Sequence, residues 1–149
     1  MPLSNAAQLA LINLLFENAA FVNVGNSGGL LPSSVAGSWY IALHTADPTV
    51  AGTQASNEAT YTGYARVAVS RVGGSWTISG SSPTQIVNAA VVSFPACTGG
   101  TNTATYFSIG VASSGATVML GSGALSPSLA VSNGITPSFA IGELVYTQN

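Results

Sequence analysis

The chain has 149 residues, 47% of them hydrophobic, and only six charged side chains: Glu17, Asp47, Glu58, Arg66, Arg71 and Glu143. A net charge of −2 with no lysine disfavours nucleic acid, which needs several cations on one face, and equally disfavours an anionic membrane surface. The apolar content suits a packed core rather than disorder, the length suits one domain over residues 1–149, and a surface of hydroxyls, amides and small apolar groups offers little repulsion between copies, which favours a protein that works in an assembly.

In chain order, the first expected element is a helix over residues 1–21. Ser4 or Asn5 can cap it, Leu9, Ile12 and Phe16 form one apolar stripe, and Leu11, Leu14 and Leu15 widen that stripe. A secretory signal would carry a basic segment ahead of it, and a membrane span would need about 20 apolar residues; neither pattern is present. The helix is therefore expected to pack on a sheet or into a neighbouring subunit. Residues 22–37, rich in Gly, Asn and Ser around Leu30-Leu31-Pro32, read as a loop.

From Ser38 the pattern changes to β. Trp39, Ile41 and Leu43 alternate with Tyr40, Ala42 and His44, and Asp47-Pro48 then turns the chain into a polar loop that closes at Gly63. Further strands are expected over Tyr64–Arg71, Ser75–Ile78 after the Gly73-Gly74 turn, Gln85–Phe94, Thr105–Val111, Thr117–Gly121, Leu125–Val131 and Phe139–Thr147. About eight short antiparallel strands behind one short helix predict an all-β fold, a jelly-roll-like β-sandwich over residues 38–149.

The rare polar residues gather in the strand–turn–loop unit between Ser38 and Arg66, so that is where a site would lie. His44 is the only histidine, and one His with Asp47 falls short of the three or four ligands zinc requires. A Ser-His-Asp triad lacks a nucleophile elbow, since Gly121-Ser122-Gly123 sits among strands. A carboxylate pair would have to come from Glu17, Asp47, Glu58 and Glu143, whose spacing brings no two together. Arg66 and Arg71 lie five apart on an expected strand, so they point to opposite faces; each should pair with a carboxylate or a backbone carbonyl, Arg66 with Asp47 or Glu58. Gly73-Gly74 and Gly99-Gly100 lack the lysine and helix of a phosphate loop.

Cys97, the lone cysteine, can form no intrachain disulfide and reads as a small, semi-buried apolar residue at a strand end. Trp39, Trp76 and the tyrosines could stack on a saccharide if exposed, but strand aromatics belong more often to a core or an interface. These residues imply no catalysis, no metal and no cofactor. His44, Asp47, Pro48 and Arg66 read as a structural corner.

Tyr40-Ile41-Ala42-Leu43-His44-Thr45-Ala46-Asp47-Pro48, a polar loop with Asn57-Glu58, and Gly63-Tyr64-Ala65-Arg66-Val67-Ala68-Val69 together resemble small structural proteins of tailed bacteriophages. The resemblance continues through Asn88–Ala96, Thr105–Gly110, Gly123-Ala124-Leu125 and Thr136–Gly142, and so covers nearly the whole chain. Members are described as tail-fibre-like or as capsid decoration (cement) proteins, and the resemblance implies no catalytic residues. It implies a non-enzymatic virion protein. The leading expectation is a decoration protein that trimerises and binds the major capsid protein on the outer face of the head; the alternative is a tail or fibre component, either structural or host-binding, the latter through saccharide contacts of exposed Trp or Tyr. Candidate contact residues are Leu9, Ile12 and Phe16 on the helix and Leu30 and Leu31 in the first loop, with the 47–63 loop beside them.

Overall fold

The computed structural model describes residues 3–79 and 84–148. Along the chain it contains α1 (Asn5–Phe16), β1 (Ser38–His44), β2 (Val67–Ser70), β3 (Trp76–Ser79), β4 (Thr84–Asn88), β5 (Val92–Ser93), β6 (Asn102–Gly110), β7 (Met119–Val131), β8 (Ser138–Phe139) and β9 (Val145–Gln148). The fold is all-β, as the alternation and turn residues imply, and the described residues hold one short helix and nine strands in place of about eight. The strands form sheets of order β2-β1-β6-β7, β3-β4-β9 and β5-β8. The residues divide into two compact units, each assembled from separated segments: 1–38, 70–91 and 139–149 in one, 39–69 and 92–138 in the other.

In the first unit, Ser4 caps α1 with its Oγ accepting from Ala7 N at 3.3 Å. The helix is shorter than the expected 1–21, of which Met1 and Pro2 lie outside the described residues. It stops because Asn18 turns to a left-handed φ of 54°, and the Asn18 amide serves Ser33 instead, donating to its carbonyl and accepting from its N–H, both at 2.9 Å. Arg71 closes the helix end: Nε donates to Leu15 O at 2.7 Å and Nη2 to Leu14 O at 2.8 Å. A cation on the last carbonyls offsets the negative end of the helix dipole. Ile12 and Phe16 are fully buried. The Phe16 ring meets Trp76 edge-on at 4.9 Å and Tyr146 at 5.2 Å, and Gln8 Oε1 accepts from Thr84 N at 3.1 Å. The helix thus packs on the β3-β4-β9 sheet of its own chain.

The expected strand Gln85–Phe94 is broken at Asn88. That buried amide donates to Ala90 O at 2.7 Å and Ala140 O at 2.8 Å and accepts from Leu144 N at 2.9 Å, so it ties two loop segments together where a continued strand would pass. The last strand is also shorter than expected. Glu143 lies outside it, in a turn where its Oε2 accepts from Ala140 N at 2.6 Å, and β9 begins at Val145.

In the second unit, β1 pairs antiparallel with β6 from Tyr40↔Gly110 to His44↔Tyr106. Both faces of β1 are covered, since Ile41, Ala42, Leu43 and His44 are each fully buried. The two strands expected over 117–121 and 125–131 are one, β7. Between Ala104↔Leu129 and Tyr106↔Ala124, β6 advances two residues while β7 advances five. Leu125–Ser128, with Pro127 unable to donate to the ladder, bulge out between two paired halves. Gly123 lies opposite Phe107, whose ring occupies the place a side chain at 123 would need. Cys97 is fully buried, deeper than the semi-buried strand-end position expected of it.

Candidate functional site

The turn at the end of β1 is built from local chemistry. Asp47 Oδ1 accepts from Thr49 N at 2.8 Å, Pro48 is buried, and Asn57 Nδ2 donates to Asp47 O at 3.0 Å. Thr49 and Asn57 both adopt left-handed backbone, with φ of 61° and 54°. The loop then returns along β1: Thr45 N donates to Asn57 O and Ala59 N to Leu43 O, each at 2.8 Å.

His44 lies at the end of β1 with both ring nitrogens engaged, Nδ1 2.8 Å from Ser56 O and Nε2 2.8 Å from Ser108 Oγ. A carbonyl only accepts, so Nδ1 carries the proton and Nε2 accepts from the Ser108 hydroxyl. Burial lowers the His44 pKa, more than the Ser56 carbonyl and Glu58 raise it, and Arg66 lowers it further. The ring is a neutral cross-brace between the loop and β6.

Arg66 precedes β2 rather than lying within the strand expected over 64–71. Its guanidinium grips Glu58 with two parallel bonds, Nε to Oε1 at 2.6 Å and Nη2 to Oε2 at 2.8 Å. The partner is Glu58 and not Asp47. Nη2 also donates to Gly115 O at 2.8 Å, and Nη1 reaches Ala112 O at 2.9 Å, Thr117 Oγ1 at 3.2 Å and Gln54 Oε1 at 3.3 Å. Every N–H of the guanidinium is used, and the Arg66 side chain is 1% exposed. The bond to Glu58 raises its pKa.

Tyr64 completes the cluster. Its hydroxyl donates to Glu58 Oε1 at 3.0 Å and accepts from Leu43 N at 3.1 Å. Burial pushes its pKa far above the ordinary tyrosine value. Its ring stacks on Phe94 at 6.3 Å and meets Tyr61 edge-on at 5.3 Å.

Several members of this cluster had no signal in the sequence. Gln54 is fully buried; its Nε2 donates to Tyr40 O at 2.9 Å, and Thr117 Oγ1 donates to its Oε1 at 3.0 Å. Gly110, the cross-strand neighbour of Tyr40, leaves room for that amide, and a methyl group there would coincide with it. Asn102 Oδ1 accepts from Thr60 N at 2.7 Å and Tyr61 N at 2.8 Å, which fixes the loop's exit. These partners lie 14 to 63 positions apart, and no spacing rule marks them.

Beside Arg66 opens a shallow cavity of about 480 Å³, bordered by Glu58, Thr60, Tyr64, Arg66, Ser113 and Ser114. Its charged groups are already committed: Glu58 accepts from Tyr64 and twice from Arg66. The arrangement holds two loops together. Among the described residues no three of His, Cys, Asp and Glu come together as a metal would need. No described helix is long and apolar enough to cross a membrane.

The remaining candidates divide. Ile12 and Phe16 are fully buried within the chain and present nothing to a partner, whereas Leu9, Leu30 and Leu31 are 40%, 46% and 72% exposed. The buried pair is a correction to the expected contact set: the stripe covers the chain's own sheet. Both tryptophans are buried as well, with Trp76 Nε1 donating to Ser70 O at 2.9 Å. Neither offers a stacking face for a saccharide.

A family described as Podophage GP4 fiber I protein gp80 matches the chain over residues 2–147. A comparison with curated proteins found no match.

Proposed function

The chain belongs to the Podophage GP4 fiber I protein gp80 family and is a phage structural protein; we propose that it serves in the fibre of the virion and carries out no reaction there. The match over nearly the whole chain is the observation that supports the fibre assignment. A non-catalytic role is supported by how the rare polar groups are spent. Arg66, Glu58, His44 and Asp47 each hold backbone or one another, and catalysis needs a group free to exchange a proton or attack a substrate. The capsid-decoration reading rests on the same resemblance and on no feature of the fold that a fibre role would lack.

Deleting the gene separates the two. A fibre component, when removed, leaves filled heads of normal stability and particles that lose attachment to the host. A decoration protein, when removed, leaves attachment intact and heads that burst at lower temperature or lower ionic strength. The second outcome would replace the fibre assignment with decoration.

A further inference from the structure

The loop after α1 is ordered by its own hydrogen bonds, yet its large apolar side chains face solvent. Phe21 and Leu30 exchange backbone bonds in both directions at 2.9 Å. Asn18 clamps Ser33 from both sides at 2.9 Å, and Asn26 Oδ1 accepts from Gly28 N at 2.8 Å and Gly29 N at 3.0 Å. Gly29, with φ of 63°, passes so close to the Phe21 carbonyl that no side chain would fit. On this fixed frame Val22, Leu30, Leu31 and Val35 are 56%, 46%, 72% and 78% exposed.

A loop normally exposes polar residues and buries large apolar ones. A pinned loop that does the reverse has already lost the conformational freedom that binding would otherwise remove. The chemistry of the occupant follows from charge. Residues 18–46 contain no charged side chain; of the two cations, Arg66 is committed to Glu58 and to the Ala112 and Gly115 carbonyls, and Arg71 is turned onto the Leu14, Leu15 and Ala36 carbonyls. A strongly charged partner would have its charges desolvated here with nothing to pair them. This chain itself supplies a surface of the matching kind, with six charged residues in 149 and none between 72 and 142. Two copies could bring the same loop together about a two-fold axis without burying an unpaired charge.

We propose that the 18–35 loop is a self-association surface, through which one copy of this chain docks on a second by Leu30, Leu31 and Val35. The proposal concerns the purified chain and holds wherever in the virion the protein sits, so its failure would leave the fibre assignment standing.

The test is sedimentation velocity on the full chain from about 1 to 100 µM. The wild type should self-associate within that range. The double variant Leu31→Asp/Val35→Asp should weaken association at least about 100-fold, since it sets two buried carboxylates per copy against their own kind. At a concentration low enough for both to be monomeric, its melting temperature should equal the wild-type value, because both side chains are exposed in the single chain. Val50→Asp, at a position 107% exposed in the other loop, should associate as wild type. A wild type that stays monomeric throughout, or a double variant that associates as tightly as wild type, overturns the proposal. Should the double variant fail to fold, hydrogen exchange on the wild type decides: amides of residues 21–35 gain protection with concentration if the proposal holds, and show no concentration dependence if it fails.

Discussion

The two long loops are closed by the same kind of device and put to opposite use. The loop after α1 is shut by Asn18 on Ser33 and by the Phe21–Leu30 backbone pair. The loop after β1 is shut by His44 on Ser56, Arg66 on Glu58 and Asn102 on Thr60 and Tyr61. In the second, Pro48, Gln54, Ala59 and Tyr61 are all buried and Val50 alone of the large apolar side chains stands in water; in the first, Val22, Leu30, Leu31 and Val35 all do. Hydrogen-bonded order alone therefore does not distinguish a loop that completes a core from one held ready for a partner. The direction of the large side chains does. The loop that gathers the rare polar residues is the internal one.

The largest test of that contrast is Arg66→Met. It leaves Glu58 without its cation and strips the Ala112 and Gly115 carbonyls of a donor. Breaking a buried pair in this one-sided way costs about 3–5 kcal/mol, and the lower end fits because Glu58 is 18% exposed. A melting temperature lowered by about 6–12 °C is expected. An unchanged melt would mean that Arg66 does not fasten the loop.

Next is Gly110→Ala, which puts a methyl group where the Gln54 amide lies. Overpacking of this sort costs about 1–3 kcal/mol, read by chemical denaturation with an unchanged slope. Asn18→Ala is the matching cut in the other loop. It removes two bonds to Ser33 and places alanine at φ of 54°, for a loss of about 1–2 kcal/mol. Its diagnostic consequence is faster hydrogen exchange confined to residues 19–33. Exchange that quickened equally in the 47–63 loop would dissolve the contrast between the two.

The pH dependence through His44 is the finest probe. The unfolded ring takes a proton at its ordinary value of 6.5, and burial lowers that value in the fold. The unfolded chain therefore binds more protons as pH falls below about 6.5, and the fold loses stability from there down through the lowered value. Thermal melts across this window should show the decline, and His44→Gln should remove that component while costing some stability at neutral pH.

Local features were legible in the sequence and distant ones were not. The strand Ser38–His44 and its Asp47-Pro48 turn follow from a two-residue period and from side chains that bond two positions away. Ser4 was readable as a helix cap for the same reason. The apolar stripe of α1 was plain, but what covers Phe16 was not, because Trp76 and Tyr146 arrive from 60 and more positions away. Arg71, which closes that helix 56 and 57 positions back, carries no mark of doing so. The sequence predicts two strands where β7 is one, since Pro127 and the glycines look like breaks and the ladder to β6 resumes on either side of the bulge. In the corner, Arg66 and its two candidate carboxylates were visible, while Gln54 and Asn102 were ordinary amides in polar stretches until the fold brought their partners to them.

The central claim, a structural fibre component whose polar corner serves the fold, is tested most directly by imaging the intact virion at subunit resolution. Density that fits this chain is expected within the fibre, with the Arg66–Glu58 corner enclosed and no bound small molecule beside it. Density for the chain on the outer face of the head, or a ligand seated against Glu58 in the open cavity, would contradict it.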